Sequence, residues 1–227
     1  MMSKNPALFL YVTSGLLFLF SLYFKSEDLM LVVKPMIIPS ILYYYFTKRK
    51  NNINSIFVIS VIFFFVGDML FLFNYEDFFV LGMLIFLIPY LFVIFFLYED
   101  IKQIIAKREN NKIDFTFIVI LLILLNLIIT VLKALELSSL TEEILYLLFG
   151  IELVTMGVMA SMIYFHSSIK RNFYLAITIS TFIISDLFFV LNKNIQNLLV
   201  FELINGTAQT VSYFFYINYF LHRKFKQ

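Results

Sequence analysis

Eight long apolar runs, separated by short polar breaks, dictate what this chain folds into. They cover residues 7 to 24, 29 to 47, 54 to 73, 77 to 98, 114 to 132, 141 to 165, 172 to 191 and 196 to 221. Each is close to the roughly 20 residues that a helix needs to cross a hydrocarbon core. Strands of a membrane barrel would be about half as long and would alternate in polarity, whereas these runs are apolar all round. The expected fold is therefore all-α: a polytopic bundle of eight transmembrane helices forming a single domain over residues 1 to 227. The chain is 62% hydrophobic and 14% charged, with 30 Phe and 14 Tyr. A soluble domain carries about 25% charge and has no surface on which to place such an aromatic surplus. There is no cysteine, which removes disulfides, thiolate nucleophiles and cysteine–zinc sites from consideration.

The basic residues set an orientation. Eight spans put both termini on one side. That side receives Lys4, Lys48, Arg49, Lys50, Lys102, Lys107, Arg108, Lys112, Lys170, Arg171, Arg223, Lys224 and Lys226, 13 of the 17 Lys and Arg. The opposite side receives Lys25, Lys133 and Lys193, and Lys34 falls inside the second span. The split predicts cytoplasmic termini. The Ile-, Phe-, Asn- and Lys-rich composition is that of an AT-rich bacterial genome, and so points to a bacterial inner membrane.

Two stretches repeat each other. "VGDMLFLFN" (66 to 74) and "ISDLFFVLN" (184 to 192) are offset by 118 residues. Under that offset Asp68 falls on Asp186, Gly67 on Ser185, Asn74 on Asn192 and Lys34 on Glu152. The offset suggests a parallel four-plus-four repeat with halves 1 to 112 and 113 to 227. Chance similarity between two apolar spans is the alternative.

An ionisable side chain within the bilayer costs several kcal/mol unless it is paired or lines a cavity. The groups at depth are Lys34, Asp68, Glu152, Asp186 and Glu202, with neutral Asn126, Asn205 and Gln209. By the 1.5 Å rise per residue, Lys34, Asp68, Asp186 and Glu202 share a layer in the half of the bilayer away from the termini, and Glu152 lies deeper. Pro35 and Pro39 follow Lys34 at one-turn spacing. They either kink the second span and widen a pocket, or Pro35 begins the helix and Lys34 snorkels to the interface. The acids also have two readings. They tie helices together by hydrogen bonds or a buried ion pair, or they form a general acid and general base set apart by their surroundings. His166 and His222 lie near the span ends at the terminal side, away from the acids, so no metal site is expected. No phosphate loop or serine-nucleophile elbow is present, and nothing supports nucleic-acid binding.

The order and spacing of these residues resemble the YhhN family over essentially the whole chain. Lys34-Pro35 matches its Lys-Pro, Gly67-Asp68 its Gly-Asp, Ser185-Asp186 its Ser-Asp, and Gln209 its glutamine in the last span. Gly82 and Phe86 match its span 4 residues. Many members carry a histidine where this chain has Tyr90. Characterised members are lysoplasmalogenases. The resemblance therefore implies hydrolysis of the vinyl ether of a lysophospholipid to a fatty aldehyde and a glycerophospho-alcohol, without a cofactor or metal. It implies Asp68 and Asp186 as the catalytic pair, with Lys34, Tyr90 and Gln209 around the substrate; Glu152, Glu202 and Asn205 join the expected substrate-binding residues on their depth in the membrane, not on the resemblance. The expected partners are that lysophospholipid and membrane lipid, and the sequence specifies no oligomeric state. A lipid or solute transporter, or a lipid-binding protein without turnover, fits the intramembrane polar groups as well.

Overall fold

A computed structural model describes residues 5–50, 52–105, 115–135 and 139–223 of the chain. Lys4, Lys107, Arg108, Lys112, Lys224 and Lys226, and the boundary between the two expected repeat halves, lie outside the described residues. The described residues form eight helices: α1 (Pro6–Tyr23), α2 (Glu27–Lys48), α3 (Ser55–Phe73), α4 (Tyr75–Ile105), α5 (Phe115–Ala134), α6 (Leu140–His166), α7 (Lys170–Asn194) and α8 (Leu199–His222). These match the eight apolar runs to within a few residues, apart from the later end of α4.

Local chemistry explains several of the starts. Asn5, Asn54 and Ser139 precede α1, α3 and α6, and each side-chain oxygen accepts from a backbone N–H in the first turn, which satisfies a donor the helix itself cannot pair. Pro35 and Pro39 both lie inside α2, eight and twelve residues past its first residue, Glu27. Pro35 therefore does not begin the helix, and each ring removes a backbone donor from the turns around Lys34.

Among the described residues six helices, α1 to α4, α6 and α7, are long and apolar enough to cross a bilayer. The described apolar stretch of α5 is shorter, Ile118–Ala134. α8 has spanning length, 24 residues, but it carries Glu202, Asn205 and Gln209 on the side that lines the interior cavities described below. Large apolar side chains such as Phe9, Leu16, Val32, Ile59, Leu91, Leu122 and Ile151 stand exposed on the outside. An apolar exterior of this extent is what a bundle presents to lipid.

The helices pack as hairpins α1–α2, α3–α4 and α7–α8, joined through α4–α6, α6–α7, α2–α3 and the seating of α8 against α1 and α2; α5 leans mainly on α6. The interior is aromatic. Phe57, Phe64, Phe96, Tyr45, Tyr90, Tyr216, Tyr219 and Phe220 are almost wholly buried. α3 and α4 approach closely because each offers a glycine to the other's ring. The Phe86 ring lies over Gly67, where a Cβ would sit 2.7 Å from it, and the Phe71 ring lies over Gly82, where a Cβ would collide.

One end of the bundle is clamped by ions. Asp100 on α4 is fully buried and accepts from Tyr219 (2.7 Å) and Arg223 (3.1 Å), with Arg171 at 3.6 Å. Arg223 also reaches Glu99 (2.8 Å) and the Phe96 carbonyl (3.2 Å). Arg49 donates to the carbonyls of Phe220, Leu221 and Arg223 at 2.6 to 3.2 Å, capping the end of α8. The cavities with polar linings lie toward the other end, where the α1–α2 and α7–α8 connections are.

Candidate active site

Within α3, Phe64, Asp68 and Phe71 follow one another at spacings of four and three, so they share one helix face. Within α7, Phe182, Asp186 and Phe189 do the same. The 118-residue offset relates these triplets one to one, and the structure brings them face to face. Phe64 stacks on Phe182 (centroids 5.2 Å, 26° between planes), and Phe71 stacks on Phe189 (5.4 Å, 27°). The two stacks are seven residues apart, about 10 Å along the helices. Asp68 and Asp186 occupy the layer between them.

The two carboxyls have different surroundings. Asp68 is buried and accepts from Gln209 Nε2 at 2.7 Å and from the Tyr213 hydroxyl at 2.8 Å, with Lys34 Nζ at 3.7 Å. The Lys34 ammonium also lies over the Phe18 ring, 5.6 Å from its centroid, a placement that suits a partly desolvated cation. Asp186 has no cation beside it among the described residues. Its partner is the Tyr90 hydroxyl, which donates to Oδ2 at 2.5 Å. Tyr90 is buried, its ring held between Phe64, Phe149 and Phe182 at centroid distances of 5.3 to 5.5 Å.

Asp68, Asp186 and Lys34 line one cavity of 70 Å³, together with Asn205 and Gln209 and walls of Phe71, Met83, Phe86, Phe149 and Phe189. A second cavity of 340 Å³ shares Lys34, Phe71, Phe189, Asn205 and Gln209 with the first. It runs out to Lys25 and Glu27 at the α1–α2 turn and to Asn192, Lys193, Asn197 and Glu202 at the α7–α8 turn. Ser185 donates to Asn205 Oδ1 at 2.8 Å, and Asn192 binds both the Leu198 backbone N–H (2.9 Å) and Glu202 (3.4 Å). These bonds fix α8 against α7 along the cavity wall. Asn74 takes a different part: it accepts from the Asp77 backbone N–H at 3.2 Å and caps α4.

Of the eight residues expected from the sequence, Asp68, Asp186, Lys34, Asn205 and Gln209 meet in the inner cavity, and Glu202 lines the outer one. Tyr90 and Glu152 line neither. Tyr90 acts on Asp186 from behind. Glu152 is buried on α6, and its Oε2 has no hydrogen-bond partner among the described residues. Tyr213 was not among the expected residues. Its position four residues after Gln209, and hence on the same face of α8, is the signal that would have found it.

Set beside known protein families, the chain matches the sequence profile of the YhhN family over residues 29–221, nearly its whole length. The chain belongs to the YhhN family. The match runs from Leu29 in α2 to Leu221 in α8, and therefore takes in every residue of the two cavities except Phe18, Ser21, Leu22, Lys25, Ser26 and Glu27. Comparison with curated proteins and with solved structures finds no match. As a YhhN protein the chain is lysoplasmalogenase-like in the general sense of that family.

Proposed function

We propose that this YhhN protein hydrolyses the vinyl ether of a single-chain phospholipid, releasing a fatty aldehyde and a glycerophospho-alcohol. The observation that carries this reading is the unequal pair of carboxyls on one cavity, Asp68 tied to a lysine and two further donors and Asp186 tied to one tyrosine. Two such groups suit the hydrolysis of a vinyl ether. A neutral carboxyl gives a proton to the β-carbon, leaving an oxocarbenium ion, and a carboxylate opposes that positive charge. Paired acids serve a similar cationic transition state in glycosidases.

Asp186, with no cation to hold it ionised, is the proton donor. Tyr90 donates to Oδ2 and leaves Oδ1 to carry the acidic proton. Asp68, held as an anion by Lys34, Gln209 and Tyr213, faces the developing cation. Water then adds to the α-carbon and returns one proton to Asp186. The resulting hemiacetal collapses, its hydroxyl proton passing to the departing glycerol oxygen. The sum is one vinyl ether and one water consumed, one aldehyde and one alcohol formed, and the acid restored. The aromatic walls exclude bulk water from the ion, which strengthens its attraction to Asp68.

The test is purification in detergent and incubation with lysophospholipids that carry a vinyl ether, a saturated ether or an ester at the same position. The proposal expects aldehyde from the vinyl ether and no cleavage of the other two. Release of fatty acid from the ester, or no turnover with proton-linked flux in proteoliposomes, would replace it with a different hydrolase or a transporter.

A further inference from the structure

A crevice between α5, α6 and α7 lies beyond the two cavities described above. It measures 60 Å³ and is lined by α5 from Leu124 to Leu132, by Leu135 just past the end of α5, by α6 from Tyr146 to Val154 and by α7 from Ile183 to Val190. Apart from Tyr146 and Asp186 its lining is apolar, and Asp186 is its one carboxyl. Asp186 and Phe149 belong to this crevice and to the inner cavity alike, so the reactive carboxyl stands in the partition between them.

The 118-residue offset sharpens the contrast. It carries α5, α6 and α7 onto α1, α2 and α3. On the α1–α2 side the space beside the acids is the polar 340 Å³ cavity with Lys25, Glu27 and Lys34. On the α5–α6 side the related space is apolar. The site therefore has a polar approach and a hydrocarbon approach that meet at the two aspartates.

We infer that the α5–α6–α7 crevice is the subsite for the hydrocarbon chain of the lipid, entered sideways from the bilayer, a step that rests on the proposed vinyl ether hydrolysis. A crevice of this size and chemistry offers water too few partners to be stably wet, whereas a chain leaving the reacting carbon at Asp186 meets a surface of its own kind. At one end of the crevice α5, α6 and α7 are in close contact, with Leu124 and Ile183 at 2.6 and 3.1 Å from where a Cβ on Gly157 would sit. Its flank is the seam between α5 and α7, and α5 rests mainly on α6. The crevice thus takes the methylenes nearest the vinyl ether, and the rest of the chain passes through the α5–α7 seam into lipid. The headgroup occupies the polar cavity on the other side.

The probe is a saturated 1-O-alkyl lysophosphocholine, which cannot be hydrolysed at a vinyl ether, with a diazirine close to the ether oxygen. It is photolysed with the full-length protein in nanodiscs, and a diacyl phosphocholine with the same group serves as control. The inference expects label on residues 124 to 135 and 183 to 190 from the single-chain probe, several times more than from the control. It also expects label there to fall about tenfold in Leu127→Trp or Val131→Trp, which fill the crevice from α5. Equal labelling by both probes would make the crevice ordinary lipid surface, and label concentrated on α1, α2 or α8 would place the chain elsewhere; either result overturns the inference. Aldehyde release is scored separately. Turnover with label elsewhere defeats the chain subsite alone, and label in the crevice without turnover defeats the hydrolase reading alone.

Discussion

Tyr90→Phe isolates one oxygen atom. Tyr90 is 1% exposed and its ring contacts Phe64, Phe149 and Phe182. The substitution keeps that ring and its packing, and removes the hydroxyl that donates to Asp186 Oδ2 at 2.5 Å. Asp186 then has no hydrogen-bond partner among the described residues. Leaving a buried acceptor unpaired costs about 1–3 kcal/mol. If that bond orients the acid for proton transfer, the same energy appears in the barrier and kcat falls about 5- to 150-fold. KM should change little, because Tyr90 lines neither cavity. The assay is aldehyde release from a vinyl ether lysophospholipid across substrate concentrations, with thermal unfolding in detergent as a control for folding. Tyr90→His supplies an imidazole donor of the kind many family members carry at this position, and should recover part of the lost kcat. A phenylalanine variant with kcat within twofold of the parent, or one that changes KM alone, would refute the claim that Tyr90 works through Asp186.

Asp68→Asn and Asp186→Asn should each lower aldehyde release by at least about 100-fold, the scale of a lost acid–base group, with thermal unfolding still cooperative; near-normal turnover in either would end the two-carboxyl mechanism. Gly82→Val pushes a branched side chain into the Phe71 ring. Because Phe71 walls both cavities, the variant should lose about 1–3 kcal/mol of stability and also lose activity, as read by unfolding and by aldehyde release. Arg223→Ala removes one cation from the fully buried Asp100 while Arg171 and Tyr219 remain. It should cost about 3 kcal/mol, the low end for breaking a buried pair, and leave kcat/KM nearly unchanged below the unfolding transition, because the cluster lies at the other end of the bundle.

The helices were readable because lipid imposes one simple demand: a continuous apolar run long enough to satisfy its own backbone. The acids were readable for the complementary reason, since a charge inside such a run is conspicuous. The offset of 118 residues also had geometric content beyond the acids, because Phe64 and Phe182, and Phe71 and Phe189, stack across the site. Those phenylalanines did not stand out among 30. Pairings between helices were harder to read. Nothing local in the sequence says that Tyr213 and Gln209 turn to Asp68, or that Tyr90 turns to Asp186, because helix rotation about its axis is set by packing against neighbours and not by apolar length. Arg49, Arg171 and Arg223 show a related effect. Read along the chain they are the basic residues flanking span ends, yet in the fold Arg223 and Arg171 surround the buried Asp100 and Arg49 caps α8.

The central claim is that Asp186 delivers a proton to the β-carbon from one fixed side. Turnover of a vinyl ether lysophospholipid in D₂O tests it directly, with the aldehyde reduced at once to its alcohol to prevent exchange. The account predicts a single deuterium at carbon 2 with one handedness. Racemic deuterium at that carbon would mean that an enol is released and takes up its proton in solution, and would contradict a carboxyl donor fixed in the site.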